Sequence, residues 1–212
     1  MQSKLFRQAT VACGWLLTGL FATFAPAATF EVIYADGENE GFFDSTLGDE
    51  RRAAFEFALN LIADLLDSDV PIKVQASFDP MGSEETGAAL GSTFPNSFHW
   101  NFPGAPLPNT VYVQALANAL SGTDLWDATD EEPEFDPDIV CMFNSDVDSE
   151  EEFGLADWYY GLDGNAGNDY DFVTVVRHEV CHGLGFLALI DSTDGSWLLD
   201  FPDAYSVHLT RQ

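Results

Sequence analysis

The most informative part of this chain is residues 171–186, DFVTVVRHEVCHGLGF. His178 and His182 are four residues apart, and on an α-helix this spacing puts both imidazoles on one face, where they can bind the same metal ion. Glu179 lies about 100° around the helix from His178, so it is poorly placed as a ligand but can reach a water at that ion. The spacing therefore predicts a helix with a metal site on one face.

The residues around the two histidines favour a helix with one buried side. Apolar side chains recur at spacings of three and four on the side opposite the histidines, at Val173, Val176, Val180 and Leu184. Asp171 is a suitable N-cap, and Gly183 and Gly185 supply the end of the helix. The HExxH pattern is typical of zinc metallopeptidases, so Zn²⁺ is the expected cofactor, and the alternative is a chance match in an ordinary soluble helix.

The first 27 residues have the features of a secretory signal peptide. Lys4 and Arg7 form a short basic region, residues 9–25 are mostly apolar, and Ala25-Pro26-Ala27 offers a small-x-small cleavage site. We expect residues 1–27 to be removed and the protein to be secreted, extracellular or periplasmic. A membrane anchor is the weaker alternative because the apolar stretch is short and interrupted by glycine and threonine.

The composition excludes several kinds of partner. The chain has 36 acidic and 7 basic residues and a formal net charge of −29, and removal of Lys4 and Arg7 takes the charge to about −31. Such a surface repels nucleic acid phosphates and anionic membranes, so neither is expected as a partner. The remaining residues, 28–212, are enough for one domain with a proper core, and 18 phenylalanines argue against a disordered acidic tail. The sequence leaves the oligomeric state open.

Two cysteines remain after cleavage, Cys141 and Cys181. An even number of cysteines in an oxidising compartment favours a disulfide. Free buried thiols are a second possibility. A third is that Cys181, which lies between the two histidines, is a metal thiolate.

The remaining periodicity predicts an α+β domain. Alternating or compact apolar runs predict strands at residues 29–35, 70–78, 97–102 and 139–143. Helical periodicity predicts helices at residues 46–67, with Thr46 and Asp49 as a capping box, and at 111–121. Acidic stretches at 124–138 and 146–157 are typical of solvated loops.

The glycine-rich turn before the histidine helix carries alternate oxygen donors. Asp163, Asn165 and Asp169 could together hold Ca²⁺. The spacing departs from that of an EF-hand, which needs glycine where Asn168 stands. An ordinary Asx-rich turn is therefore the alternative interpretation.

Residues 174–186 resemble the metal helix of the zincin superfamily, in its metzincin branch. The segments Trp158-Tyr159-Tyr160-Gly161-Leu162-Asp163-Gly164 and Pro202-Asp203-Ala204-Tyr205 are similar to secreted metallopeptidase-like proteins of marine bacteria. The resemblance implies a zincin-like fold, in which a mixed β-sheet packs against an N-terminal helix and the HExxH active-site helix. It further implies that His178 and His182 bind Zn²⁺, that Glu179 is the general base, and that the substrate is a protein or peptide.

The sequence departs from the metzincin pattern at the third ligand. That pattern continues HExxHxxGxxH, and Gly185 fills the glycine position, but Ala188 stands where the third histidine belongs. The downstream candidates are Asp200, Asp203 and His208, of which we favour Asp203 slightly and keep His208 as the alternative. Only 27 residues follow Gly185, which implies a domain that lacks most of its C-terminal subdomain.

Two functions from different classes fit these observations. The first is a secreted zinc-dependent peptidase that hydrolyses peptide bonds through a metal-activated water, with Glu179 as general base. The second is a non-catalytic or truncated acidic secreted binding module that retains the helix as a scaffold. Zinc content together with peptide cleavage would separate them.

Overall fold

The computed structural model describes residues 27–82, 89–125, 136–149 and 156–208. Within these ranges the fold is mixed α+β, with three α-helices. The elements are β1 (Phe30–Tyr34), α1 (Gly48–Ala63), β2 (Ile72–Asp79), β3 (Gly91–Pro95), β4 (Phe98–His99), β5 (Tyr112–Val113), α2 (Gln114–Ser121), β6 (Ile139–Asn144), β7 (Trp158–Tyr159), β8 (Tyr170–Asp171) and α3 (Phe172–Gly183). Short 3₁₀ turns lie at Gly41–Phe43, Ser145–Asp148 and Ser206–His208.

Some predictions fall outside the described part of the chain. All of the signal peptide except Ala27 does so, as do the centres of the two acidic stretches, residues 126–135 and 150–155. No helix within the described ranges combines the length and apolar character needed to cross a membrane.

The main sheet has four strands in the order β1-β2-β6-β3. β1, β2 and β6 are parallel, and β3 runs antiparallel to β6 at the edge. The predicted strands at 29–35, 70–78 and 139–143 are confirmed as β1, β2 and β6. β3 was not predicted, because its sequence Gly-Ser-Thr-Phe-Pro has turn residues at both ends and little alternation.

The strand predicted at residues 97–102 is wrong beyond its first half. The structure has only the two-residue strand β4, which pairs with β5. Asn101 has a φ of 52°, which turns the chain, and its side-chain oxygen accepts a hydrogen bond from the Asn109 backbone N–H at 2.9 Å. Trp100 is left 53% exposed, so the alternation did not reflect a buried face.

The core lies on the face of the sheet that α1 and α3 cover. Buried phenylalanine rings from the sheet and both helices meet there, with Phe143 of β6 at 5.8 Å from Phe55 and 4.9 Å from Phe172 between ring centroids. Alternate strand residues on the opposite face, such as Gln75 and Val140, are half-buried. The α+β class predicted from the sequence is therefore confirmed.

The beginning of α1 corrects a prediction. The helix starts at Gly48 after Leu47 and has no side-chain cap, so Thr46 and Asp49 do not form a capping box. Instead, the Asp44 carboxylate accepts hydrogen bonds from the Thr46 and Leu47 backbone N–H groups, at 2.7 and 2.8 Å. Asp44 thus accepts from the Thr46 N–H, the donor that the Asp49 side chain would need in a capping box, which explains the error.

Candidate metal centre

Helix α3 is anchored by its packing against the sheet. It begins at Phe172 after the predicted N-cap Asp171, whose carboxylate accepts a hydrogen bond from the Thr174 hydroxyl at 2.6 Å. Val176 and Val180 are fully buried on the predicted apolar face. At Gly183 a Cβ would lie 2.4 Å from Ile139 Cγ2, so glycine allows the close approach of the helix to β6.

The two histidines of α3 converge as their spacing predicts. Their Nε2 atoms are 3.0 Å apart, and the ring planes are perpendicular, with centroids separated by 4.6 Å. Two nitrogens bound tetrahedrally to zinc at about 2.0–2.1 Å would be about 3.3 Å apart. The arrangement of His178 and His182 therefore fits two ligands of one zinc ion.

The orientation of His182 is fixed by the turn after the helix. Its Nδ1 atom is 2.8 Å from the Phe186 carbonyl oxygen. If Nδ1–H donates to this carbonyl, Nε2 carries the lone pair that a metal requires, an arrangement typical of zinc-binding histidines. Gly185, with a φ of 108°, forms the turn, and the Phe186 N–H donates back to the Cys181 carbonyl at 3.0 Å.

The sequence contains no sign of this role of Phe186. The contact involves a main-chain oxygen, which any residue type supplies, so residue identity gives no signal. Only the glycine two residues after the helix indicates that the chain turns back there.

Glu179 occupies a different environment from the histidines. Its side chain is only 8% exposed, whereas His178 is exposed to solvent. It lies against Gly91 of β3, where a Cβ would be 3.1 Å from Glu179 Cγ. The carboxylate side chain is therefore confined between α3 and the edge of the sheet.

The structure does not bring a third predicted ligand to the histidines. Asp203 is 4% exposed, and its two carboxylate oxygens accept hydrogen bonds from the Leu189 and Ser206 backbone N–H groups, at 2.9 and 2.7 Å. His208 is exposed at the end of the last 3₁₀ turn. Among the residues described, no three His, Cys, Asp or Glu side chains form a group that could hold a metal. The assignment of Asp203 or His208 as third ligand stays a prediction.

Cys141 and Cys181 are both free, so of the three alternatives that the sequence leaves open the structure does not show the disulfide. Cys141 is fully buried in β6, close enough to Glu179 for that charge to act on it. Cys181 follows Glu179 by two residues, about 200° around the helix, and therefore faces the other way. Burial raises the pKa of the Cys141 thiol to about 12, with a smaller contribution from Glu179, so this thiol stays protonated.

The turn proposed for calcium is held by its own side chains. The Asp163 carboxylate accepts hydrogen bonds from the Tyr159 hydroxyl and from the Asn165 backbone N–H and side-chain amide. The Tyr159 hydroxyl, followed by Asn165, lowers the Asp163 pKa to about 2. These contacts are those of an Asx turn. The calcium site stays a prediction.

An apolar cavity of about 650 Å³ lies beyond the C-terminal end of α3. Its walls come from five parts of the chain: residues 66–72, residues 98–107, residues 111–119, the turn at 184–189, and residues 203–208. Because these parts are far apart in the sequence, no local pattern predicts the cavity.

No protein family model matches this chain, no curated protein matches it, and no solved structure matches it. The functional assignment therefore depends on the geometry of the site itself.

Proposed function

We propose that this protein is a secreted zinc-dependent peptidase of the zincin type, with His178 and His182 as zinc ligands and Glu179 as general base. The observation that carries the proposal is the convergence of the two Nε2 atoms at 3.0 Å, with His182 Nδ1 directed to the Phe186 carbonyl. A helix that used these histidines only for solubility would not need to orient them toward each other.

The two histidines and Glu179 of α3 have different roles in the proposed reaction. When bound, Zn²⁺ supplies Lewis-acid polarisation of the scissile carbonyl and lowers the pKa of an attacking water toward about 7. Glu179 would take up a proton from the attacking water and give it to the leaving amine. The confinement of Glu179 against Gly91 limits its rotamers, so little ordering is needed when substrate binds.

The edge of the sheet offers a place for a peptide substrate. Among the described strands, β3 is at the edge of the main sheet, and it packs against α3. An extended peptide can add to an open strand edge through main-chain hydrogen bonds. A peptide bound there would run beside the helix that carries the histidines.

A second function, a non-catalytic secreted binding module, has one observation in its favour. The described residues contain no group of three potential metal ligands, and Asp203 is engaged as a structural cap. Catalytic zinc sites normally have three protein ligands. A chain with two ligands would hold zinc weakly and turn over slowly or not at all.

The substitution Glu179→Gln separates the two functions. We expect the wild-type protein to bind zinc and to cleave a generic protein substrate such as casein. Glu179→Gln should retain zinc while its turnover falls by about 10²–10⁴-fold, because an amide cannot accept the proton. The matched control is Glu50→Gln, which alters an exposed carboxylate on α1 and should leave turnover unchanged.

Two results would contradict the peptidase proposal. Undiminished turnover in Glu179→Gln would remove this residue from the mechanism. A wild-type protein that binds zinc and cleaves no protein or peptide substrate would favour the binding module.

A further inference from the structure

We propose that Gly91 is a positioning residue for Glu179: the missing side chain at this point of β3 makes the space that the Glu179 side chain occupies between α3 and β3. The catalytic part of this proposal rests on the peptidase function, whereas the contact between Gly91 and Glu179 exists independently of it.

The space at Gly91 is bounded on three sides. A Cβ built there would lie 3.1 Å from Glu179 Cγ, 3.2 Å from the Met142 carbonyl oxygen and 3.3 Å from Phe143 Cδ1. All three distances are shorter than ordinary carbon contacts of about 3.5–4.0 Å. A methyl group at this position must therefore displace at least one neighbour.

Two of the three neighbours are fixed. The Met142 carbonyl belongs to β6, which is paired on one side with β2 and on the other with β3. The Phe143 ring is fully buried and is in contact with several other phenylalanine rings. Close-packed interiors resist such shifts, so the Glu179 side chain is the neighbour that moves.

The backbone does not require glycine at residue 91. Its φ lies outside the left-handed region, unlike that of Gly185 at 108°, so alanine can adopt the same conformation. Glycine within a strand is destabilising relative to alanine because it loses more freedom on folding. The space for Glu179 supplies the local reason for a glycine here.

Displacement of Glu179 would act on the chemical step. A misplacement of about 1 Å can reduce the rate by about 100-fold, so a shift of a few tenths of an ångström should reduce it by about two- to tenfold. The methyl group of Gly91→Ala points toward Glu179 and leaves the main-chain groups of β3 in place for a peptide, so kcat should fall while KM stays constant. The zinc ligands lie on the exposed face of α3, and zinc content should also be unchanged.

A double-mutant cycle tests the contact, with Gly91→Ala made in the wild-type and Glu179→Ala backgrounds. In the wild-type background, Gly91→Ala should leave Tm unchanged or lower it. Alanine loses less backbone freedom on folding than glycine, but crowding of its methyl group against the neighbours offsets this gain in stability. In the Glu179→Ala background the contact with Glu179 Cγ is removed, while those with the Met142 carbonyl and the Phe143 ring remain. The Tm change on Gly91→Ala should therefore be more favourable than in the wild-type background by about 2 °C. Ser92→Ala, at the next position of β3, is the control and should shift Tm equally in both backgrounds.

The kinetic arm uses Gly91→Ala alone. We expect kcat to fall by about two- to tenfold with unchanged KM and zinc content. An unchanged kcat in a peptidase that is active as wild type would overturn the positioning role. A Tm shift of the same size and sign in both backgrounds would overturn the contact itself.

The remaining outcomes are also decisive. If Gly91→Ala fails to fold in both backgrounds, the methyl group is blocked by Met142 and Phe143, and the proposal is overturned. If the wild-type protein has no peptidase activity, the proposed function fails, but the Tm cycle still decides whether Gly91 makes the space for Glu179.

Discussion

The chain up to Gly183, the earlier region, and the chain after it, the later segment, differ in how many of their side chains are buried. Phe172, Val176 and Val180 of α3 are fully buried against the sheet. After Gly183 the chain forms turns, and Phe186 and Leu198 are 61% and 58% exposed. Two histidines four residues apart need only a well-anchored helix to converge. A third ligand from the later segment depends on the placement of a part with few buried side chains.

The largest expected effect is on the stability of the earlier region. Phe172 is fully buried and contacts the rings of Phe78, Phe143, Trp158 and Tyr160. Phe172→Ala should lower the free energy of unfolding by about 3–5 kcal/mol, through lost burial and a cavity. Leu198→Ala in the later segment should change it by no more than about 0.5 kcal/mol. Urea unfolding measures both, and equal effects would remove the difference between the regions.

A buried carboxyl in the earlier region should make stability depend on pH. Asp138, at 1% exposure, accepts hydrogen bonds from the Lys73 backbone N–H and the Asn118 side-chain amide, both at 2.8 Å. Burial raises its pKa to about 6, the Lys73 N–H opposes this, and the charges of Asp124 and Asp136 add to it. The folded protein thus binds this proton more tightly than the unfolded chain.

The direction of the pH dependence follows from this tighter proton binding by the folded protein. The contribution of Asp138 is fully present below about pH 4 and is lost as the pH rises through about 6, to a limit of about 3 kcal/mol. Asp138→Asn cannot ionise, so its free energy of unfolding should fall less between pH 4 and 7 than that of the wild type. Urea unfolding across this range measures the difference, and identical slopes would contradict the raised pKa.

A smaller effect concerns the later segment and its role at the metal. Asp203→Ala leaves the Leu189 and Ser206 N–H groups without their acceptor, which should cost about 1–3 kcal/mol. Because both carboxylate oxygens serve these donors, we expect zinc affinity to fall by less than about tenfold. The exposed His208→Ala is the comparison and should leave stability unchanged. A sharp loss of zinc affinity in Asp203→Ala would instead make it the third ligand that the sequence favours.

The sequence predicted the features that depend on local patterns and not those that depend on contacts between distant parts of the chain. Helical and alternating periodicity is a local property, so α3, β2 and β6 and the convergence of His178 and His182 were predictable. The confinement of Glu179 by Gly91 joins residues far apart in the chain, and β3 has no alternation to indicate it. The sequence left the disulfide open because a count of cysteines does not include the direction in which Cys181 projects from the helix.

Zinc content after reconstitution tests the central claim most directly. Purified protein would be loaded with zinc, freed of excess metal by dialysis, and measured by elemental analysis for wild type, His178→Ala and His182→Ala, with His99→Ala as the control histidine. We expect about one zinc per chain in the wild type and in His99→Ala, and a loss of zinc in the other two variants. A metal-free wild type, or full zinc retention in both His178→Ala and His182→Ala, would contradict the assignment of these histidines as the metal site.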